Sequence, residues 1–212
     1  GESGLRNLFR GDGYFNVDLS LSKAFRVGIA DHRLRFRWDV FNLTNTPKFD
    51  VFASDIWKKV GFAVEGSVFN TDGFKTVTTE AGPIDNNAKV DYRNVTAKVE
   101  YLPSDRITIS GRAGYFREDR DNGKIGEVND TRWTSLSGGV RAVLPDTSNL
   151  QARVFGDIQK AHYNFLAVTN AATLRNFVRL ATDQRVPVNG VGGMVQWQKV
   201  IGSKQLLTAG TD

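Results

Sequence analysis

The chain has 212 residues, of which 40% are hydrophobic and 24% charged, at a mean hydropathy of −0.33. That balance excludes intrinsic disorder, and no run of about 18 apolar residues exists to make a transmembrane helix. The 28 Lys and Arg are mixed with 23 acidic residues along the whole length, and there is no cysteine. A net charge of +5 spread in this way is no nucleic-acid footprint, and disulfide scaffolds, zinc ribbons and thiol catalysis are excluded.

In chain order the dominant period is two, which predicts β-strands. Val17, Leu19, Leu21, Phe25 and Val27 occupy odd positions, with Asp18, Ser20, Ser22, Ala24 and Arg26 between them. Leu34, Phe36, Trp38 and Val40 then alternate with Arg33, Arg35, Arg37 and Asp39. Val60, Phe62, Val64 and Val68 follow, and after them Val95, Ala97, Val99 and Tyr101. Weaker alternation marks strands through Ile107–Tyr115, Leu136–Leu144 and Leu150–Ile158, with a run at Val186–Val200 and a stub at Leu206–Thr211. The total is about nine strands. Thr173–Ala181 is the one short helix candidate.

Several of these runs sustain alternation for about nine to eleven residues, the length of a tilted strand crossing a bilayer. Connections point the same way. Tight turns at Pro103–Asp105, Pro145–Ser148 and Gly202–Lys204 alternate with long polar stretches at 70–88, 117–131 and 165–184. Outer-membrane barrels alternate short periplasmic turns with long outer loops, and sandwiches follow no such rule. The expected fold class is an all-β, antiparallel, up-and-down transmembrane β-barrel wall. On that reading Arg33, Arg35, Arg37, Asp39, Arg141 and Arg153 are lumen-facing polar candidates, and Leu34, Phe36, Trp38 and Val40 face lipid. Glycines inside strands, such as Gly138, Gly139, Gly192 and Gly193, are expected to relieve crowding in a curved wall.

Chemistry-bearing constellations are sparse. His32 and His162 lack the spacing of a metal signature. The acidic stretch Glu118–Lys124 fails as a calcium loop, because Arg120 falls where an oxygen ligand is needed. Gly190–Met194 has no helix after it to cradle a phosphate. No nucleophile elbow or close carboxylate pair stands out, so neither enzyme activity nor a cofactor is expected.

The block Leu8-Phe9-Arg10-Gly11-Asp12-Gly13-Tyr14-Phe15-Asn16-Val17-Asp18, leading to Arg33–Val40 and Phe41-Asn42-Leu43-Thr44-Asn45, resembles late barrel strands of TonB-dependent outer-membrane receptors. The group with a carboxypeptidase-regulatory-like N-terminal domain is the nearest in kind. From Trp57 onward, stretches such as Val64–Phe74, Asp91–Val95 and Gly190–Trp197 are similar to mid-barrel strands of the same superfamily. The resemblance implies import of a scarce ligand across the outer membrane, with energy delivered through the TonB protein to the parent protein. It implies outer-membrane lipid as a partner and the cell outer membrane as location, and leaves the ligand unknown.

This divides the chain into a late-barrel-like strand pair at 1–50 and mid-barrel-like strands at 57–212, with no plug domain. Their order is inverted relative to the family. Turn parity also breaks: one crossing is missing between about 42 and 58, and Lys48–Ala53 is too short to supply it. The two blocks are therefore expected not to form one continuous sheet. Gly1–Gly4 lacks a leader and Gln205–Asp212 stops inside a strand, so the chain is expected to be a piece of something longer. Two other readings stay open, a small self-closed barrel with a structural or adhesive role and a soluble secreted β-sandwich that binds a partner.

Overall fold

The computed structural model describes residues 16–27, 33–43, 48–169, 174–202 and 205–212. Ten strands lie within them: β1 (Leu19–Arg26), β2 (Arg33–Phe41), β3 (Lys48–Trp57), β4 (Val60–Lys75), β5 (Asn87–Ser104), β6 (Ile107–Asp121), β7 (Val128–Val143), β8 (Asn149–Thr169), β9 (Phe177–Ile201) and β10 (Gln205–Thr211). All belong to one sheet in the order β1 to β10, each pairing antiparallel with the next. This is an up-and-down meander. A two-layer sandwich is excluded. Among the described residues β1 and β10 form the edges, and the sheet does not close on itself.

Ten strands replace the expected nine, and the difference is β3. Lys48–Trp57 pairs along its whole length with β4, from Lys48 opposite Phe69 to Trp57 opposite Val60. It also pairs with β2, from Phe41 opposite Lys48 to Arg35 opposite Ser54. The missing crossing is therefore present, parity is restored, and the expected break between 1–50 and 57–212 does not occur. The sequence hid β3 because its faces are mixed. Phe49, Val51 and Ala53 share the apolar side with Asp55, while Phe52 and Ile56 sit among Lys48, Asp50 and Ser54.

Two further expectations are corrected. Residues Phe177–Ala181 are strand, paired with β8 up to Thr169 opposite Phe177; Thr173 lies outside the described residues. The long stretches at 117–131 and 165–184 are mostly strand too, and 70–88 is strand at its two ends. β4 runs on to Lys75, β6 to Asp121 and β8 to Thr169, so the wall continues well past its apolar section. Cross-strand hydrogen bonding sustains these extensions, which no clean alternation announces. Antiparallel pairing sends successive connections to alternate ends. The connections after β4, β6 and β8 thus share one rim, and those after β3, β5, β7 and β9 share the other. The Gly202–Lys204 turn lies mostly outside the described residues, as do the Gly28–His32 turn and Thr44–Asn45.

Pleating divides the wall into two faces. Register carries Leu21, Trp38, Val51, Gly66, Val95, Tyr115, Thr134 and Ile158 across the sheet as successive neighbours on one of them. That face is apolar and bare: Leu136 is 58% exposed, Val154 66% and Val191 92%. Among the described residues only Val40, Ile84 and Ala161 are buried apolar side chains. No described residue covers this side, and so large an uncovered apolar surface marks a face built to meet something other than water. The bulge between Thr71 and Phe74 is made by Gly73 at φ 63, where an added Cβ would stand 1.6 Å from the Ala88 carbonyl oxygen.

Candidate functional site

The opposite face is polar, and every polar candidate from the sequence lies on it. Arg35, Ser54, Ala63, Lys98, Arg112 and Ser137 are successive cross-strand neighbours. The next row runs Arg37, Phe52, Glu65, Thr96, Gly114, Ser135 and Asp157, and the one after it Asp39, Asp50, Ser67, Asn94, Phe116 and Trp133. Arg33 stands opposite Arg26 at the start of β2. Arg141 and Arg153 share this face five and six strands from β2, where Arg141 Nη2 donates to Asn149 Oδ1 at 3.5 Å. The structure therefore brings Arg35, Arg37 and Asp39 together, and leaves Arg141 and Arg153 as a separate pair. Leu34, Phe36, Trp38 and Val40 lie on the apolar face, with Phe36 38% exposed and Val40 buried between Leu19 and Phe49.

Over β1–β5 the polar face forms a groove of about 720 Å³ lined by Arg35, Arg37, Asp39, Lys48, Asp50, Glu65 and Asn94. All of its charges but Arg35 are matched, in pairs two residues apart or on adjacent strands. Arg37 Nε lies 2.8 Å from Asp39 Oδ2, Lys48 Nζ 3.2 Å from Asp50 Oδ2, and Lys98 Nζ 3.6 Å from Glu65 Oε1. Asp39 and Asp50 face each other directly across β2 and β3, so each carboxylate depends on its own cation. Asn94 Nδ2 donates to Ser67 Oγ at 3.1 Å. Lys48, Asp50 and Glu65 were not singled out from the sequence, because Lys48 and Asp50 lie on the unrecognised β3.

Towards the long-connection rim this face carries aromatic rings. Phe69 stacks on Tyr92 at 5.4 Å between centroids, and Tyr92 meets Phe116 at 6.0 Å. Trp133 is the neighbour of Phe116 on β7 and donates its indole N–H to Asp157 Oδ1 at 2.9 Å. The signal for this ladder was four aromatics at the polar parity of their strands. Flat rings beside charged pairs offer stacking and charge-assisted hydrogen bonds to a passing solute.

The rim itself is clasped. Arg175 donates from Nη2 and Nε to the two oxygens of Asp85 at 2.6 and 2.7 Å, and the Asp85 side chain is 1% exposed. These bonds, above all the one from Arg175, hold the Asp85 carboxyl down at about 2. Ile84 N–H donates to the Arg175 carbonyl, and Ile125 N–H to the Ile84 carbonyl, which ties the connections after β4, β6 and β8 together. Lys124 pairs with Glu127 and donates to the Leu166 carbonyl at 2.9 Å. At the other rim Lys199 reaches Asp146 at 2.8 Å and, with the Ser148 hydroxyl and amide, lowers the Asp146 carboxyl well below the usual range. Among the described residues no group of three or more metal-ligating side chains is placed to hold an ion.

Comparison with known proteins adds one match. Residues 1–81, which take in β1–β4, match the family model described as an outer membrane beta barrel domain. No curated protein and no solved structure matches the chain. The ten-stranded meander with its bare apolar face, together with this match over residues 1–81, gives the chain the fold of an outer-membrane β-barrel wall and locates it in the outer membrane.

Proposed function

We propose that this wall is part of a TonB-dependent receptor that imports a scarce ligand. The apolar face meets lipid on this reading, and the polar face with its charged groove and aromatic ladder lines the passage. One observation supports it above the others: the polar face pairs its charges internally over the four adjacent strands β2–β5, as a solvated surface that never meets hydrocarbon does. The resemblance of Phe41–Asn45 and of the Val64–Phe74 region to receptor strands supports the narrower class. The parent protein supplies the TonB contact.

A strain lacking the gene, grown on limiting iron chelates, glycans or peptides, is expected to lose growth on at least one of them. Removal of TonB in the wild type reproduces that defect. Growth unchanged across the panel, or uptake that persists without TonB, overturns the receptor reading and favours a passive or structural barrel.

A further inference from the structure

The bare apolar face ends abruptly at a line of positive charge. Beyond Val95, Tyr115, Thr134 and Ile158, the next residues on the same face are Arg93, Arg117, Arg132 and Lys160. The four are direct cross-strand neighbours on β5 to β8, with no register shift between them, so they form one row roughly 15 Å long. All four are exposed. Like charges set directly opposite one another repel, so a row of four cations costs stability unless an anion answers it. The protein answers only half of it. The next row on this face is Asp91, Asp119, Asp130 and His162: Arg93 lies 3.5 Å from Asp91 and Arg117 2.9 Å from Asp119, whereas Asp130 lies 3.4 Å from His162, and neither Arg132 nor Lys160 makes an ion pair among the described residues.

We propose that this row binds the phosphate-bearing headgroups of the lipid leaflet at the long-connection rim. The proposal rests on the apolar face being the lipid face. The row then sits just where hydrocarbon gives way to headgroups, on the outside of the wall. Guanidinium groups match phosphate oxygens in bidentate fashion, and the Lys160 ammonium adds a point charge. Charge complementarity selects a lipid with a net-anionic phosphate headgroup over a zwitterionic one.

The test is refolding of the whole chain into vesicles of phosphatidylcholine alone or with a minority of phosphatidate, read as the urea-unfolding equilibrium. Phosphatidate is expected to favour the folded state by about 30-fold, from the two unanswered cations, and high salt should erase most of the gain. The variant Arg93→Gln/Arg117→Gln/Arg132→Gln/Lys160→Gln should fold equally well in phosphatidylcholine and show no gain. Lys58→Gln/Lys59→Gln/Arg106→Gln, at the opposite rim, should keep it. An equal gain in the four-residue variant, or none in the wild type, overturns the proposal. Inorganic phosphate added to phosphatidylcholine vesicles should not reproduce the effect, and if it does, the ligand is a free anion and the lipid assignment fails. A separate control distinguishes failure of the underlying reading. Leu136→Arg should impair insertion into both vesicle types, and normal insertion would show that this face does not meet lipid.

Discussion

Phe36 and Arg37 are adjacent in sequence and stand on opposite faces of β2, Phe36 beside Ala53 and Arg37 beside Phe52. If one face meets hydrocarbon and the other water, Phe36→Arg should cost about 2–4 kcal/mol at mid-membrane, and Arg35→Gln well under that. The substitution that separates lipid contact from core packing is Phe36→Leu with Trp38→Leu. Lipid accepts any apolar side chain. The double variant should lose only about 1 kcal/mol, mainly the stacking of Trp38 on Phe49 at 6.2 Å. A loss above about 3 kcal/mol in equilibrium refolding would instead indicate a packed core. Gly73 makes a sharper demand, since φ 63 and the Ala88 carbonyl leave no room for a side chain. Gly73→Ala should destabilise the β4–β5 hairpin by more than about 1 kcal/mol, read in the same refolding assay. Face assignment was legible at this scale because parity alone decides it. Leu34, Phe36, Trp38 and Val40 therefore lie on one side and Arg33, Arg35, Arg37 and Asp39 on the other. Pairing partners were not legible, since nothing local says that Asp39 will face Asp50.

At the scale of elements, strands with one apolar face were readable and strands with two mixed faces were not. β3 escaped because Asp55 and Phe52 each stand on the side where alternation would not put them. The start of β9 looked helical because Phe177, Val178 and Leu180 break the alternation, yet pairing with β8 holds them extended. The outer ends of β6 and β7 are largely polar on both faces and those of β8 and β9 are apolar without alternation, so none of them reads as a strand. Contacts between connections are beyond any local signal, and the Asp85–Arg175 clasp, between residues 90 apart, is the example. It carries a pH prediction. Asp85 titrates at about 2 when folded against 3.8 unfolded, so its contribution is fully present above 3.8 and is lost as pH falls through about 2. Hydrogen exchange at the Ile84 and Ile125 amides, corrected for intrinsic rate, should stay slow at mildly acidic pH and accelerate towards pH 2. Asp85→Asn should lower that protection by about tenfold or more at neutral pH and remove the acid dependence. Unchanged protection in the variant would show that the clasp does not hold the rim together.

For the molecule as a whole, pairing fixes what no single strand can, namely which connections share an end. With β3 counted, the connections after β3 and β5 are the residue pairs 58–59 and 105–106, and the one after β7 spans 144–148. Those after β4 and β6 span 76–86 and 122–127, at the opposite rim. The short-turn rim is stitched by Leu102 N–H to the Lys59 carbonyl and by Val143 N–H to the Arg106 carbonyl. The asymmetry predicts orientation, because short turns face the periplasm and longer connections the outside. The absence of cysteine from the sequence makes this directly testable with single substitutions. Thr78→Cys lies exposed in the connection after β4, and Asp105→Cys exposed in the turn after β5. A membrane-impermeant maleimide applied to intact cells should label Thr78→Cys and leave Asp105→Cys unlabelled until the outer membrane is permeabilised. The reverse pattern would invert the wall. It would move the clasp and the row from Arg93 to Lys160 to the periplasmic leaflet, while leaving the division into apolar and polar faces untouched. Equal labelling of both positions on intact cells would mean that the two rims are not on opposite sides of a membrane, and the barrel assignment would then fail at its base.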